Sequence, residues 1–419
     1  MKEKQSEQKA GKRRPKLFTR NFTFLILGQT SSLIGNYTLK FALSMYVLEQ
    51  TGSASVFAGL LALALLPTIL LSPFGGILAD RANRRNIMVT LDALSGLCVL
   101  IAGFAMSREQ EIVVIGVLLV ILSVLGAFES PTVQACVPQM LSGDNLIKGN
   151  AVVSQVSSIA TLITPFLGSL FYTAFGIRPV FYAAVICFFL TALLECFIRL
   201  EYKKSGKRTG LCRIIKEDFS VSMHFLLREQ PGILQLLLLA AFVSMFVAGT
   251  AVVGFPYLVR TVLGLSAEHY GAAESLMGAA SVLGSLCVAV SAGKLRVRCL
   301  SAILAGVGIS LIACGLVFLL PAGSFTRYLI LLLMFCAGQL GCSFFSTFAI
   351  SVIQARTPEH LMGKVMSCVF TLAMCAQPIG QIVYGALFDR FADSVYWVLI
   401  PSGLIVCAAG AASVRFFRK

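Results

Sequence analysis

The sequence predicts an all-α integral membrane protein whose twelve transmembrane helices form two six-helix halves related by a parallel pseudo-repeat. Of its 419 residues, 57% are hydrophobic and only 13% are charged, against about 25% charged in an average soluble domain. Its apolar runs repeatedly reach the roughly 20 residues that a helix needs to cross a bilayer. Lysine and arginine residues are concentrated in alternate loops, and segments of the first half are faintly similar to segments of the second.

Twelve segments have the length and polarity of a membrane span. They are expected to be helices rather than strands, because the runs are continuously apolar and lack the alternation of a transmembrane barrel. The predicted spans are 22–48, 54–79, 87–106, 112–134, 151–174, 180–198, 233–258, 269–292, 300–320, 328–354, 365–388 and 394–414. The basic segment before them resembles the charged part of a signal peptide. The apolar run behind it is too long and has no small-residue cleavage site, so we expect a cytosolic tail and a retained first span.

The distribution of positive charge predicts the orientation in the membrane. With the N-terminus in the cytosol, the inner segments carry 28 of the 34 lysine and arginine residues, the outer loops carry 5, and Lys40 lies within a span. We therefore expect a multi-pass protein of a bacterial inner or plasma membrane with both termini in the cytosol. The net charge of +15 follows from these loops and suits contact with anionic membrane lipid, so no nucleic-acid partner is expected.

The chain divides after the sixth span. The expected parts are a basic cytosolic tail (1–21), an N-terminal six-helix half (22–198), a cytosolic linker (199–232), a C-terminal six-helix half (233–414) and a cytosolic tail (415–419). In the linker, Leu211, Ile215 and Phe219 recur at helical spacing, which predicts an amphipathic helix on the inner membrane surface. TPFLGSLFYTAFG (164–176) is similar to QPIGQIVYGALFD (377–389). Either chance similarity between apolar helices or a parallel repeat, an arrangement typical of rocking transporters, explains this likeness.

Cysteine and histidine residues give no sign of a metal or redox site. None of the thirteen cysteines forms a C-x-x-C pair, and nearly all of them lie inside apolar runs. We expect buried free thiols. The three histidines form no cluster, so no metal or other cofactor is expected.

The segment GGILADRANRRN (75–86) places four charges between two of the most apolar stretches of the chain. Its residues Gly76, Asp80, Arg81, Asn83, Arg84 and Arg85 resemble the signature loop of the major facilitator superfamily, G-x-x-x-D-R-x-G-R-R, with Asn83 in place of a glycine. The resemblance implies a conformational latch: the aspartate sits against the N-terminus of a helix in the other half, and the arginines bind neighbouring acids and lipid. Asparagine tolerates the left-handed backbone conformation well, so we expect the turn to be kept. The alternative is that the arginines only enforce topology, although topology alone needs no aspartate.

Two further stretches are similar to the drug–proton antiporter branch of that family, which includes macrolide efflux pumps. The first comprises Gly28, Gln29, Ser32 and Gly35 of span one, followed by Thr51-Gly52-Ser53-Ala54. In span five, a loose form of the antiporter motif G-x-x-x-G-P-x-x-G-G is made by Ala160, Thr164, Pro165, Gly168 and Ser169. The resemblance covers about residues 17–415. It implies a monomeric transporter with H⁺ as coupling ion, although Leu122 stands near the position of the arginine that the family has in span four.

Polar residues of span one follow a helical stripe. Gln29, Ser32, Asn36 and Lys40 are spaced by three, four and four residues, so they share one face that should line a cavity. A cation inside a membrane is a functional candidate. Lys40 lies roughly 8 Å from the outer face by helical rise, however, so it could also extend its amine to the interface.

Three acids within spans are candidates for handling charge. Glu129 lies roughly 6 Å from the inner face, about half of a 30 Å core from Lys40, so we do not expect these two residues to pair. Glu129 is either a proton carrier or a group hydrated at the interface and paired with an arginine of residues 80–86. Asp92 is a second candidate carrier, with a structural role as the alternative. Glu274 lies at the depth of Lys40, and the two could form a gate.

The remaining polar residues and the aromatic content suggest the substrate class. Gln339, Gln377 and Gln381 are further candidates for the cavity wall. With 31 phenylalanines and few charges, the cavity should suit lipophilic small molecules. The sequence thus favours a secondary active transporter, with proton-coupled efflux by alternating access as the first hypothesis. The alternatives are import or export of a specific metabolite, or a non-transporting receptor or scaffold, although the longest non-spanning segment is 199–232. An enzyme working in the membrane would need a cluster of His, Asp or Cys residues at matched depth. The sequence shows no such cluster, so we do not expect an enzyme.

Overall fold

The computed structural model describes residues 17–106, 110–200, 225–291, 299–358 and 361–416, and within them the chain forms twelve long helices and no strand. The helices are α1 (Arg20–Thr51), α2 (Ala54–Arg81), α3 (Arg84–Ala105), α4 (Glu111–Met140), α5 (Asp144–Phe175), α6 (Ile177–Cys196), α7 (Pro231–Val262), α8 (Ala267–Val290), α9 (Cys299–Val317), α10 (Ser324–Arg356), α11 (Met362–Arg390) and α12 (Tyr396–Phe416). Each predicted span overlaps one of them, which confirms the predicted fold class. The predicted amphipathic helix of the linker falls largely outside the described residues.

Eleven of these helices are long and apolar enough to cross a membrane. The helix α1 is not among the eleven, because the polar stripe from Gln29 to Lys40 lowers its mean hydropathy. Its length of 32 residues still exceeds the roughly 20 residues that span a bilayer. The polar residues of α1 must therefore face protein or a cavity rather than lipid.

The connection between α1 and α2 follows from its sequence. Gly52 ends α1 in the left-handed conformation, with φ at 60°, and its N–H donates to the carbonyl of Leu48. Glycine adopts this conformation without steric cost. Ser53 then caps α2, because its side-chain oxygen accepts from the N–H of Val56 at 3.2 Å. The stretch Thr51-Gly52-Ser53-Ala54 is thus a stop signal and a start signal in immediate succession.

The connection between α2 and α3 corrects one expectation. Asn83 has φ of −70° and ψ of 108°, an extended conformation, at the residue before α3. The prediction that Asn83 would keep a left-handed turn is wrong. Here the chain enters α3 directly from an extended backbone conformation, which any residue type can adopt.

The helices form two bundles, α1–α6 (the N-terminal bundle) and α7–α12 (the C-terminal bundle), joined by two helix pairs. In the N-terminal bundle, α6 packs against α1 and α3, and α2 packs against α4; in the C-terminal bundle, α9 packs against α12 and α10, and α8 packs against α10. Between the bundles, α2 packs against α11 and α5 against α8. Small residues permit this close approach: a Cβ on Gly271 of α8 would lie 2.2 Å from Ser169 Oγ of α5.

The two ends of the molecule differ. At the end that carries the α1–α2 and α7–α8 connections, Arg260 of α7 forms a salt bridge with Glu49 of α1, and Asp389 of α11 binds the start of α2. We call this end the closed face. Towards the opposite end, the open face, a cavity of about 910 Å³ extends to Asn150 and Pro138.

Candidate functional site: a charged cavity in the N-terminal bundle

A large cavity lies in the N-terminal bundle. Its volume is about 910 Å³, and its wall is made by α1, α4 and α5 with one residue of α2. All four residues of the polar stripe, Gln29, Ser32, Asn36 and Lys40, line it. The side-chain oxygens of Gln29 and Asn36 are buried without a hydrogen-bond partner, so both are available to a molecule that enters.

Lys40 stands at the junction of two cavities. It lines the 910 Å³ cavity and also a second cavity of about 320 Å³. Among the described residues, its ammonium forms no salt bridge with Glu129, which lines the same cavity, or with Glu274. Lys40 therefore presents its charge to the cavity space.

Two carboxyl groups flank the hydroxyl group of Ser32 beside the larger cavity, and a third carboxyl group lies next to one of them. Ser32 Oγ lies 3.0 Å from Asp92 Oδ1 and 3.3 Å from Glu129 Oε1. Because a hydroxyl has one proton, Ser32 can donate to only one of the two acids at a time. Glu129 reaches the cavity, whereas Asp92 is fully buried behind it. Ser32 thus connects an acid on the cavity wall to an acid in the protein interior.

The third carboxyl group, Glu195 of α6, was not predicted. It lies within hydrogen-bonding reach of Asp92 and is only 2% exposed. Asp92 Oδ2 and Glu195 Oε2 have no hydrogen-bond partner in the structure, and two adjacent carboxyl groups can form a hydrogen bond only when one carries a proton. The sequence signal for Glu195 was weak, since it lies near the end of an apolar span where acids are commonly hydrated.

The 320 Å³ cavity lies between the bundles and contains both members of the predicted gate. Lys40 comes from α1 and Glu274 from α8. Glu274 Oε2 is buried without a partner, and its carboxyl group is close to the hydroxyl group of Tyr270. The Tyr270 ring stacks on Phe41 of α1, with ring centroids 5.4 Å apart. Lys40 and Glu274 therefore face one space without forming a salt bridge with each other.

The C-terminal bundle holds a cavity of about 370 Å³ with a different wall. Gln339 of α10 and Gln377 of α11 line it together with hydroxyl groups and apolar side chains. None of its described lining residues is charged. Gln381, the third predicted glutamine, lies elsewhere: it is 4% exposed, and its Oε1 atom has no partner.

The antiporter-like motif of α5 lies at the junction of the bundles. Ala160, Thr164, Pro165, Gly168 and Ser169 are all buried. Gly168 faces Phe41 of α1, and a Cβ there would lie 3.4 Å from that ring. Ser169 and the carbonyl of Pro165 face Gly271 of α8. The motif thus shapes the contact between α5, α1 and α8.

The signature loop is held by main-chain carbonyls of its own bundle. Arg84 Nε donates to the carbonyl of Ala79 at 2.8 Å, and its Nη1 donates to the carbonyl of Ala135 in α4 at 2.7 Å. Arg85 donates to the carbonyl of Cys196, the last residue of α6, where a cation is favoured by the helix dipole. The side chain of Asp80 lies outside what the structure describes, so its expected contact stays a prediction.

Sequence reasoning also missed the charged contacts of the closed face. Glu49 accepts a hydrogen bond from Tyr172 at 2.7 Å in addition to its salt bridge with Arg260. Asp389 accepts three hydrogen bonds, one from the side chain of Ser53, the N-cap of α2, and two from the N–H groups of the first two residues of α2. Glu49, Arg260 and Asp389 lie at the ends of spans. Charged residues are common there for reasons of topology, so the sequence does not reveal which residue each of them contacts.

Comparisons with known proteins agree with this architecture. The sequence profile of the Major Facilitator Superfamily matches residues 25–380. Macrolide efflux protein A of Streptococcus pyogenes is 26% identical over 393 residues, which cover 91% of this chain and 92% of the relative. The multidrug efflux pump Tap of Mycobacterium tuberculosis is 24% identical over 407 residues, which cover 94% of this chain and 92% of the relative. These matches confirm the predicted resemblance to macrolide efflux pumps.

Solved structures show the same fold. A bacterial homologue of the iron transporter ferroportin in an inward-facing state superposes with a TM-score of 0.71 at 16% identity, covering 94% of this chain and 98% of that chain. The outward-facing state gives a TM-score of 0.58 at 18% identity, covering 96% and 100%.

Proposed function

Because this chain belongs to the major facilitator superfamily, we propose that it is a proton-coupled exporter of lipophilic small molecules that works by alternating access as a monomer in the lipid bilayer. The observation that carries this proposal is the 910 Å³ cavity with Lys40 and Glu129 on its wall. Its volume falls in the range of about 300–1,000 Å³ that holds drug-sized ligands. The names of the two efflux relatives support export of such compounds.

The direction of access follows from the charge distribution. The arginines of residues 81–85 lie at the open face, and the positive-inside rule assigns that face to the cytosol. We therefore assign the structure to a state that receives substrate from the cytosol, with the closed face outside. Single cysteines at 110 and 325 of a cysteine-free protein should react with an impermeant thiol reagent in intact cells, and a cysteine at 83 should not. Labelling at 83 would overturn this orientation.

The carboxyl cluster provides the proposed proton pathway. Glu129 can exchange a proton with water in the cavity, and Ser32 links it to the buried Asp92. A proton shared by Asp92 and Glu195 would remove one negative charge from an apolar interior, where an unpaired charge is costly. The proton-binding carboxyl groups therefore lie close enough to the substrate cavity for proton binding and substrate binding to influence each other.

The polar wall of the N-terminal cavity favours a second candidate, transport of a specific metabolite. Gln29, Asn36 and Lys40 offer fixed hydrogen-bonding groups, which suit a polar ligand of defined shape better than a range of lipophilic ones. The two candidate functions differ in the range of substrates that they predict. An exporter of lipophilic compounds should act on several unrelated molecules, and a metabolite transporter on one.

The test is expression in a bacterial host that lacks its major efflux pumps, followed by a resistance screen over macrolides and other lipophilic drugs. Everted membrane vesicles should release protons when a transported compound is added. Glu129→Gln should abolish both responses, whereas Glu268→Gln, which changes an exposed acid of α8, should abolish neither. A protein that expresses normally and alters accumulation of no compound in the panel would contradict the drug-export proposal.

A further inference from the structure

The carboxylate of Asp389, next to the last residue of α11, caps the N-terminus of α2 from the opposite bundle. Its Oδ2 accepts from Ser53 Oγ at 2.6 Å and from the N–H of Ser55 at 2.9 Å, and its Oδ1 accepts from the N–H of Ala54 at 2.6 Å. The first N–H groups of a helix have no partner within the helix, and the helix dipole favours an anion there. This contact therefore stabilises the closed face across the bundle boundary.

The residues of this contact repeat the signature loop at the other end of the same helix pair. Gly385, Asp389 and Arg390 have the spacing G-x-x-x-D-R, which Gly76, Asp80 and Arg81 have at the end of α2. Since α2 and α11 pack together and the end of α11 meets the start of α2, each helix carries an Asp-Arg pair at its C-terminal end. The N-terminus of each helix lies at the face where the Asp-Arg pair of the other helix is found.

At the glycine of the second motif the two helices are in close contact. A Cβ on Gly385 would lie 2.6 Å from Ala58 Cβ and 2.9 Å from the Ala54 carbonyl oxygen. A Cβ on Gly76 would have no neighbour within 4 Å. In this structure, therefore, the glycine of the closed face is engaged with the partner helix and the glycine of the open face is not.

We infer that Asp389 is a positioning residue that holds the closed face shut, as the counterpart of the latch that the family resemblance assigns to Asp80 at the open face. The two latches exclude each other, because rocking of the bundles that brings α2 and α11 together at one end separates them at the other. The difference between these two carboxylate–helix contacts then contributes to the equilibrium between the two states. This inference rests on alternating access and not on the proposed substrate.

The salt bridge between Arg260 and Glu49 also joins the bundles at the closed face. It links α7 to α1, whereas Asp389 links α11 to α2, so the two contacts lie on different helix pairs. Loss of Asp389 should therefore shift the equilibrium towards opening of the closed face without removing every contact there.

The inference can be tested with distances between spin labels on α4 and α10, which lie in different bundles. Positions 110 and 324 report on the closed face, and positions 139 and 354 report on the open face; all four are exposed. The label pairs are introduced one at a time into a cysteine-free protein in lipid nanodiscs, and distance distributions are measured by pulsed electron resonance without substrate or pH gradient.

Asp389→Asn should raise the ratio of long to short distances at the closed face by between about 2-fold and 30-fold, the range expected for the loss of a carboxylate at a helix N-terminus. The same variant should lower the ratio of long to short distances at the open face. Asp80→Asn should shift both ratios in the opposite sense, and the double variant should lie between the two single variants. Asp393→Asn, which removes an exposed acid four residues further along, is the matched control and should change neither ratio. A purely structural role of Asp389 would not produce reciprocal changes at the two faces.

Unchanged distributions in Asp389→Asn at both faces would overturn the inference. If that variant does not fold, Ser53→Ala removes one of the three donors and should give a smaller shift in the same direction; no shift there would overturn the inference as well. A protein that exports none of the tested compounds would still show the reciprocal shift, so failure of this inference and failure of the proposed function can be told apart.

Discussion

The cavities of the two bundles are built on helices that the predicted repeat makes equivalent, yet their walls differ. The cavity of the N-terminal bundle is lined mainly by α1, α4 and α5, and that of the C-terminal bundle mainly by α7, α10 and α11. The first has Lys40 and Glu129 on its wall, and the second has amides and hydroxyls with no charge among its described lining residues. From this comparison we propose a division of roles: the N-terminal bundle handles most of the charge, and the C-terminal bundle provides mainly shape and neutral hydrogen bonds.

Packing explains part of the difference in volume, about 910 Å³ against about 370 Å³. In the C-terminal bundle, α7 contains a π-helical segment at Ala248–Gly254, and a Cβ on Gly249 would lie 2.1 Å from the Tyr384 ring. A Cβ on Gly380 would lie 2.0 Å from the Met245 carbonyl oxygen. Glycines thus bring α7 and α11 into close contact beside the smaller cavity.

The largest expected effect comes from removing the carboxylate on the N-terminal wall. Glu129→Gln should reduce uphill transport in proteoliposomes to background, because glutamine cannot take up and release a proton. Exchange of substrate down its own gradient should continue, since the shape of the cavity is kept. The measurement is substrate accumulation with and without an imposed pH gradient. Accumulation at the parent rate would break the assignment of charge handling to this bundle and direct attention to Asp92 and Glu195.

The next effect concerns Glu274, the acidic residue of the C-terminal bundle that lines the 320 Å³ cavity with Lys40. Lys40→Gln and Glu274→Gln should each lower the transport rate about 10-fold or more, because each removes the charged hydrogen bond that we expect these two side chains to form when the cavity closes. If the two residues pair when the cavity closes, the exchange Lys40→Glu with Glu274→Lys should restore part of the rate that either single reversal removes. A double reversal no better than the single ones would argue against the gate.

The smallest effect is expected on the neutral wall. Gln339→Ala and Gln377→Ala each remove a neutral hydrogen-bonding group, which typically contributes about 0.5–1.5 kcal/mol. The KM for substrate should therefore rise between about 2-fold and 12-fold, while the number of protons released per substrate stays unchanged. Ser351→Ala, an exposed residue of α10 outside the described cavity wall, serves as control. A changed proton stoichiometry in either glutamine variant would show that the division between the bundles is not strict.

The sequence predicted local features well and long-range contacts unevenly. Ser32 illustrates the success: helical spacing alone placed it on the same face as Gln29 and Lys40, and all three line one cavity. Glu195 illustrates the failure, because its proximity to Asp92 depends on how α6 packs against α3. The prediction for the backbone conformation of Asn83 was wrong for another reason. A family pattern with glycine suggested a left-handed residue, and the chain reaches α3 through an extended one instead.

The sequence by itself determined the twelve helices, the polar face of α1 and the bias of positive charge between the loops. Each of these depends on a property of one segment: its hydropathy, its period or its net charge. Only the tertiary structure decided that Asp389 meets the start of α2, that Ser32 lies between Asp92 and Glu129, and that one face is closed while the other is open. These contacts join residues 60 to 336 positions apart, and they depend on which helix faces meet. That choice follows from the packing of small residues and side-chain shapes over the whole molecule, which no single segment encodes.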